Sequence, residues 1–277
     1  MKIAVCLSGE TRTFNLKKEG HRNPADFIDE LKKFFPHVDV YGHTWAHCEE
    51  PVTDRFVFSA LMMEDQNIIS EWVKEDFVNR AYSNRSSWNQ QVKLSDMTPE
   101  EYVEKSLARS RQAYGQAFSG FKCFSMVPVN YYDIVIRYRW DLEHVGDTEH
   151  FEKTVINRIK WLVEKQAQGY PFGVATSNSW IGSGHPPTVT MDDTFFMLNT
   201  LGHEYLIGTT IQEKLETVFE QAWGNEKSEA HTLWTDCIFT STKNNTWSHR
   251  ISFNLELPNM FNLFRIVNKN NDDNYLN

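Results

Sequence analysis

The sequence predicts an α/β fold in which a mostly parallel central sheet is flanked by helices. A strand–helix–strand pattern occupies residues 2–43, and a parallel pair of strands needs a crossover of this kind. Further apolar runs of strand length then alternate with helical patterns along the chain. The composition agrees, because 277 residues with 40% hydrophobic and 14% aromatic side chains can bury a core and exclude a disordered chain.

The opening unit is indicated by three local signals. Residues 2–8 form a short apolar run that ends in a polar turn, which is typical of a buried strand. Asn23 and Asp26 flank Pro24 in the pattern of a capping box, so a helix is predicted to begin there and to end at Pro36. Residues 38–43 predict the second strand.

The middle of the chain contains helices around one interior strand. A capping box at 98–101 opens a helix that runs towards Phe118, and residues 132–139 predict a strand that ends in charged residues. Asp147 is expected to cap a helix whose apolar face comprises Phe151, Val155, Ile159 and Val163.

The last third of the chain is assigned from the same patterns. The predicted segments are a strand at 171–175, a Ser/Gly/Pro-rich loop at 177–187 as a candidate lid, a strand at 194–198, a helix at 206–223, a helix from Ser228, and a half-buried strand at 251–257. Because no long linker interrupts the pattern, residues 1–267 are predicted to form a single domain, and residues 268–277 a frayed polar tail.

Charge and cysteine content narrow the class of protein. The formal net charge of -9 disfavours a non-specific polyanion binder, although it leaves open a local basic groove. The four cysteines are scattered without a CxxC pair, so reduced thiols are expected rather than a zinc ribbon or a disulfide scaffold. The apolar runs are too short for a secretory leader or a membrane span, and we expect a cytoplasmic protein.

The turn after the first strand is a candidate phosphate site. Gly9 can adopt backbone angles that let a ligand approach, while Ser8 and backbone N–H groups can donate to a phosphate. Arg12 can bind a phosphate through two hydrogen bonds. The alternative is an ordinary strand–helix turn with a surface arginine.

A charged segment at the end of the 132–139 strand is a candidate diphosphate–metal site. Strand alternation is expected to place Arg137, Arg139, Asp141 and Glu143 on one face, where unpaired charges would be costly to bury. Asp141 would hold a divalent cation, and Arg139 would pair with phosphate or with Asp141. The alternative is a structural Arg–Asp pair without a ligand.

Two later segments carry further candidates. Asp192 and Asp193 stand at the entrance to a strand, where they could orient a sugar or act as general base, the alternative being an Asx turn. His231 could be a metal or phosphate ligand, or simply a polar surface residue. Trp45 follows the second strand and could form a wall for a base or sugar ring, or belong to the core.

Taken in order, residues 2–14, 38–45 and 132–141 resemble a family of GT-A-like glycosyltransferases found in phages, large viruses and bacterial surface-glycan loci. That family reads as a strand, then S-G-x-x-R, then D-V-x-x-H-x-W, then a strand ending in R-x-D. Residues 192–196 resemble its later acid–aromatic strand. The resemblance covers most of the chain and implies a GT-A-like, Rossmann-like fold that binds a nucleotide-sugar donor, with a UDP-sugar expected.

The resemblance also implies roles for particular residues. Ser8, Gly9 and Arg12 map onto the nucleotide-binding turn, and Asp141 maps onto the acid that corresponds to the metal-binding D-x-D of other GT-A enzymes. Position 139 is arginine rather than an acid, so Glu143 would have to supply a second carboxylate for Mn²⁺ or Mg²⁺. Asp192 or Asp193 would be the base of an inverting enzyme, whereas a retaining enzyme would not need a base in that place.

The sequence leaves open which acceptor receives the sugar and whether the protein is an enzyme or a binding protein. Because the family occurs in phages, hydroxymethylcytosine in phage DNA is one candidate acceptor, modified to protect the DNA against restriction. A cell-surface glycan is the rival acceptor, and a non-catalytic nucleotide-binding protein is the alternative to an enzyme.

Overall fold

The computed structural model describes residues 1–11, 21–47, 55–72, 99–168, 172–176, 179–181, 189–191, 195–208, 251–253 and 264–266. Within these ranges the strands are β1 (Lys2–Ser8), β2 (His21–Arg22), β3 (His37–Trp45), β4 (Phe58–Glu64), β5 (Ile134–Arg139), β6 (Leu142–Val145), β7 (Phe172–Thr176), β8 (Ser179–Ile181), β9 (Val189–Met191), β10 (Phe195–Asn199), β11 (Ile251–Phe253) and β12 (Phe264–Ile266). The helices are α1 (Pro24–Phe34), α2 (Asn67–Trp72), α3 (Pro99–Ser125), α4 (Thr148–Phe151), a π-helical turn (Glu152–Ile156), α5 (Asn157–Ala167) and α6 (Thr200–Gly208).

The predicted α/β architecture is confirmed. The described strands form a seven-stranded sheet in the order β11-β7-β10-β5-β1-β3-β4. β1 runs parallel to both β3 and β5, β3 runs parallel to β4, and β7 runs parallel to β11. β10 is antiparallel to both of its neighbours, β5 and β7. The described elements between β7 and β10 are the antiparallel pair β8–β9 rather than a helical crossover, which is the connection that a parallel pair usually requires.

Local capping signals decide where two helices begin. Asn23 Oδ1 accepts a hydrogen bond from the Asp26 amide at 3.0 Å, and Asp26 Oδ2 accepts one from the Asn23 amide at 3.1 Å. This is the predicted capping box, with Pro24 in the first turn of α1. Asp147 Oδ1 likewise accepts from the His150 amide at 2.8 Å at the start of α4.

Two apolar cores lie on the two faces of the sheet. Ile3, Val5 and Leu7 of β1 belong to a core that includes residues of α1 and α5, whereas Ala4 and Cys6 belong to a core that includes residues of α3 and α6. Because successive side chains of a strand point to opposite faces, the uninterrupted apolar run of β1 is buried on both sides. β1 is therefore an interior strand of a three-layered arrangement, with β5 and β3 as its neighbours.

Several element boundaries differ from the sequence prediction. Val163 is 38% exposed and Leu162 is buried instead. An α-helix has 3.6 residues per turn, so repeated i, i+4 steps drift off the buried face and an i+3 position takes over. The predicted lid at 177–187 contains strand β8, and the helix expected from 206 is already helical at Thr200. The helix from Ser228, most of 206–223, the strand beyond residue 253 and the tail at 268–277 lie outside the described residues. Among the described helices, none has the length and apolarity to cross a bilayer.

Candidate functional site

A cleft opens at the carboxyl ends of β1, β3 and β5. Its volume is about 460 Å³, within the range of small-molecule sites. The chain moves from β1 to β3 on one side and later places β5 on the other side, so the cleft lies where the strand order reverses. The cleft is lined on one side by residues of the strands and of the turns that follow them, namely Ser8, Gly9, Glu10, Trp45, Arg137, Arg139 and Asp141. On the other side it is lined by residues of α2 and α3 and by Gln66 just before α2, namely Gln66, Asn67, Ile69, Ser70, Ala108, Arg111, Gln112, Gly115 and Gln116.

Arginine side chains dominate the charge of this cleft. Among the described lining residues, Arg111, Arg137 and Arg139 face two carboxylates, Glu10 and Asp141. The cleft is thus locally basic in a chain whose net charge is -9. A site with this balance favours an anionic ligand.

Asp141 forms a buried ion pair with Arg139. Arg139 Nε donates to Asp141 Oδ1 at 2.8 Å, and Arg139 Nη2 donates to Asp141 Oδ2 at 2.6 Å. Both side chains are almost completely buried. The pairing is bidentate, so each oxygen of the carboxylate that was predicted to bind a cation accepts a hydrogen bond from the Arg139 guanidinium.

Glu143 does not join Asp141 in the cleft. The chain turns at Trp140 and Asp141, so strand alternation does not continue past Arg139. Glu143 then lies in β6, in a three-stranded sheet with β2 and β12, where it is 2% exposed and is absent from the cleft lining. The predicted grouping of Arg137, Arg139 and Asp141 holds, whereas the placement of Glu143 with them is wrong.

The described residues do not fit the predicted divalent cation. No group of three or more His, Cys, Asp or Glu side chains that could hold a metal occurs among them. Both oxygens of Asp141 face a guanidinium, and Glu143 lies elsewhere. His231, the remaining predicted ligand, lies outside the described residues, as do Asp192 and Asp193.

The Gly9 turn is built differently from the predicted phosphate-binding turn. Gly9 has φ +107°, in a region that favours glycine, and a Cβ atom there would meet nothing within 4 Å. Its amide donates to Ser119 Oγ at 2.7 Å, so this N–H group is already engaged rather than directed at a phosphate. Ser8 Oγ accepts from Arg137 Nε at 3.4 Å. Arg12 lies outside the described residues.

A buried polar chain supports this turn from below. Ser119 Oγ lies 2.8 Å from His43 Nδ1, and His43 Nε2 lies 3.0 Å from Glu64 Oε2. Lys122 Nζ lies 3.1 Å from Glu64 Oε1. Burial lowers the pKa of His43, against the opposing effect of Glu64. Because a carboxylate only accepts hydrogen bonds, His43 Nε2–H donates to Glu64. For Glu64, burial raises the pKa, but hydrogen bonds from His43 and Lys122 outweigh it and the net pKa is lowered.

The order Ser119–His43–Glu64 is that of a nucleophile, base and acid, yet it does not form a nucleophilic site. Ser119 and His43 are completely buried, and Ser119 does not line the cleft. Its Oγ already accepts a hydrogen bond from the Gly9 backbone amide. A catalytic serine must be reachable by its substrate. These residues instead position the Gly9 turn.

Trp45 belongs mainly to the core. It is 2% exposed, stacks on Phe118 with ring centroids 6.0 Å apart, and meets His43 edge to face. It therefore closes the base of the cleft rather than offering an open ring face.

Sequence reasoning missed the contribution of α3. Arg111, Gln112, Gly115 and Gln116 follow an i, i+1, i+4, i+5 spacing, which places them on one helix face. A polar stripe of this kind on a helix that otherwise packs on the sheet was the available signal.

Comparison with solved structures finds a distant structural likeness to a glycosyltransferase. No protein-family model matches the sequence, and no curated protein matches it. Among solved structures, the apo form of mouse xyloside xylosyltransferase 1 aligns with a TM-score of 0.35 and 10% sequence identity, covering 91% of this chain and 84% of that one. At that TM-score and identity, the likeness carries no argument about function.

Proposed function

We propose that this protein is a glycosyltransferase that moves a sugar from a nucleotide-sugar, namely a UDP-sugar, to a hydroxyl group of an acceptor. The observation that carries the proposal is that three separate sequence motifs meet at one cleft. Ser8 and Gly9, Trp45, and Arg139 with Asp141 come from three motifs far apart in sequence, and all of them line one cleft. Those three motifs are the ones that resemble the glycosyltransferase family.

The cleft supplies what the departure of a nucleoside diphosphate requires. Negative charge develops on the diphosphate as the sugar bond breaks, and guanidinium groups held in place stabilise it. Arg137 and Arg139 are almost entirely buried at the strand ends, so their positions are set before a ligand arrives. In an inverting reaction, Asp192 or Asp193 would take the proton of the acceptor hydroxyl.

For the acceptor, we propose hydroxymethylcytosine in phage DNA, with a cell-surface glycan as the alternative. The hydroxymethyl group projects into the major groove, where an enzyme can reach it, or the base can be swung out of the stack. A phage-encoded enzyme of this kind would act in the host cytoplasm, where the DNA is. The resemblance to phage proteins supports this choice.

Mass spectrometry of nucleosides tests the proposal directly. DNA containing hydroxymethylcytosine, and separately a glycan acceptor, is incubated with the protein and a panel of UDP-sugars, with Mn²⁺ in one arm and chelator in another. A sugar-sized mass increase on the base supports the DNA acceptor, and transfer only to the glycan supports the alternative. Nucleotide binding without transfer to either acceptor would instead indicate a non-catalytic binding protein.

A pair of matched variants links activity to the cleft. Asp141→Asn removes the charge that pairs with Arg139, and we expect it to nearly abolish transfer. Glu149→Gln makes the same chemical change at an exposed carboxylate of α4, away from the cleft, and should retain full activity. Equal activity of both variants would count against the cleft as the active site.

A further inference from the structure

We infer that the cleft holds the diphosphate of its nucleotide through the guanidinium groups of Arg111, Arg137 and Arg139, and that Asp141 positions Arg139 instead of binding a divalent cation. This inference rests on the proposed function and names how the donor is held. The inference adds Arg111 of α3 to the diphosphate-binding residues. It assigns to arginines the charge-stabilising role that a divalent cation was predicted to have.

Arg137 is held between two elements of the fold. Its Nε donates to Ser8 Oγ at 3.4 Å, and its Nη2 donates to the Gln116 carbonyl at 3.3 Å. Its guanidinium also lies 5.7 Å from the centre of the Phe196 ring. With 1% of its surface exposed, this side chain keeps a fixed position at the cleft wall. An anion that binds there does not have to order a mobile side chain.

Arg111 brings a positive charge from the opposite side. It is half-buried on α3, five residues before Gln116, whose carbonyl contacts Arg137. Arg111 therefore lies on the helix wall, while Arg137 and Arg139 lie on the sheet wall of the same cleft. A diphosphate has oxygens on two phosphorus atoms, so it can contact both walls at once.

The geometry of Asp141 disfavours a cation on its carboxylate. Both oxygens accept hydrogen bonds from Arg139. The Arg139 side chain is 10% exposed and the Asp141 side chain 4%. A divalent ion on the same carboxylate would lie close to the guanidinium and repel it. Displacing Arg139 would leave a buried positive charge without its partner, which is costly. With Asp141 paired to Arg139, the cleft still has a net positive charge, because three arginines line it against two carboxylates.

Calorimetric titration with UDP, in chelator and in Mn²⁺, tests the inference. We expect the same Kd in both conditions within a factor of two. Arg111→Gln should weaken UDP binding at least 10-fold and leave the weak binding of uridine unchanged, because uridine lacks the diphosphate. Arg55→Gln makes the same change at an exposed arginine outside the cleft and should bind UDP as the parent does. Circular dichroism checks that each variant is folded.

Asp141→Asn separates the two roles of that residue. If the carboxylate only positions Arg139, the variant changes the Kd for UDP by the same factor in chelator and in Mn²⁺. UDP binding that requires Mn²⁺, or a Mn²⁺-dependent gain that Asp141→Asn removes, would overturn the inference. An Arg111→Gln variant that binds UDP like the parent would also overturn it.

The two proposals fail in different ways. Arginine-dependent UDP binding without sugar transfer to any acceptor would refute the glycosyltransferase and leave the inferred diphosphate site intact. Sugar transfer that stops in chelator would support the glycosyltransferase and refute the metal-free site.

Discussion

Removing the Ser119 hydroxyl should destabilise the protein, although this side chain does not line the cleft. Ser119 is completely buried, and its Oγ accepts from the Gly9 amide at 2.7 Å and lies 2.8 Å from His43 Nδ1. Ser119→Ala leaves both of those groups without this partner. A buried polar group left unsatisfied costs about 1–3 kcal/mol. Because His43 is fully buried and Gly9 is partly exposed, we expect a total loss of about 2–4 kcal/mol.

Urea unfolding measures this loss against a matched control. Ser125 lies on the same helix and donates to the Lys122 carbonyl at 2.8 Å, but it is exposed. Ser125→Ala should therefore change the free energy of unfolding by less than about 0.5 kcal/mol. A Ser119→Ala loss no larger than that of the control would refute the buried polar chain as a support of the Gly9 turn.

Three further predictions concern stability. Burial lowers the pKa of His144 to about 3, so the folded state resists protonation while the unfolded state takes up a proton below its pKa of about 6.5. The contribution of neutral His144 to the free energy of unfolding is thus complete above about pH 6.5 and falls by up to about 1.4 kcal/mol per pH unit as the pH decreases. In urea unfolding between pH 6.5 and 5, the free energy of unfolding of His144→Gln should therefore decrease less steeply than that of the parent. An unchanged slope would contradict this. In the same assay, Gly9→Ala should lower the free energy of unfolding by about 1–2 kcal/mol, because the positive φ is strained for alanine although there is space for the methyl group. A loss above about 4 kcal/mol would mean that this space is absent. Asn23→Ala should cost about 0.5–2 kcal/mol through loss of the α1 cap, whereas Asn23→Asp should retain most of the stability, and equal losses would argue against capping.

The opening of the fold could be predicted because its signals are local. The apolar run of β1, the Asn23–Asp26 capping box and the Asp147 cap each act within a few residues, and all three lie where the sequence indicated. The parallel pairing of β1 with β3 follows from the helix between them. The gathering of Ser8, Arg139 and Asp141 at one edge of the sheet follows from the general placement of ligands at strand ends.

The chemistry of the cleft depended on contacts between distant segments. The sequence placed Asp141 beside Arg139 but could not decide between an ion pair and a metal ligand, since that choice depends on how the side chains are oriented and buried. The turn at Trp140 and Asp141 moved Glu143 into another sheet, because pairing with β2 and β12 directs that strand. Arg111 entered the site only because α3 packs across the carboxyl ends of β1 and β3.

The sequence by itself thus determined the fold class, the central strands and the helix starts, for which short-range hydrogen bonds and hydrophobic periodicity suffice. Only the tertiary structure decided which polar groups satisfy one another. Ser119 and Gly9 are 110 residues apart in sequence, and Ser119 and His43 are 76 apart, so no local pattern could pair them. Their pairing follows from burial, because a polar group that is removed from water needs whichever partner the packing brings within reach.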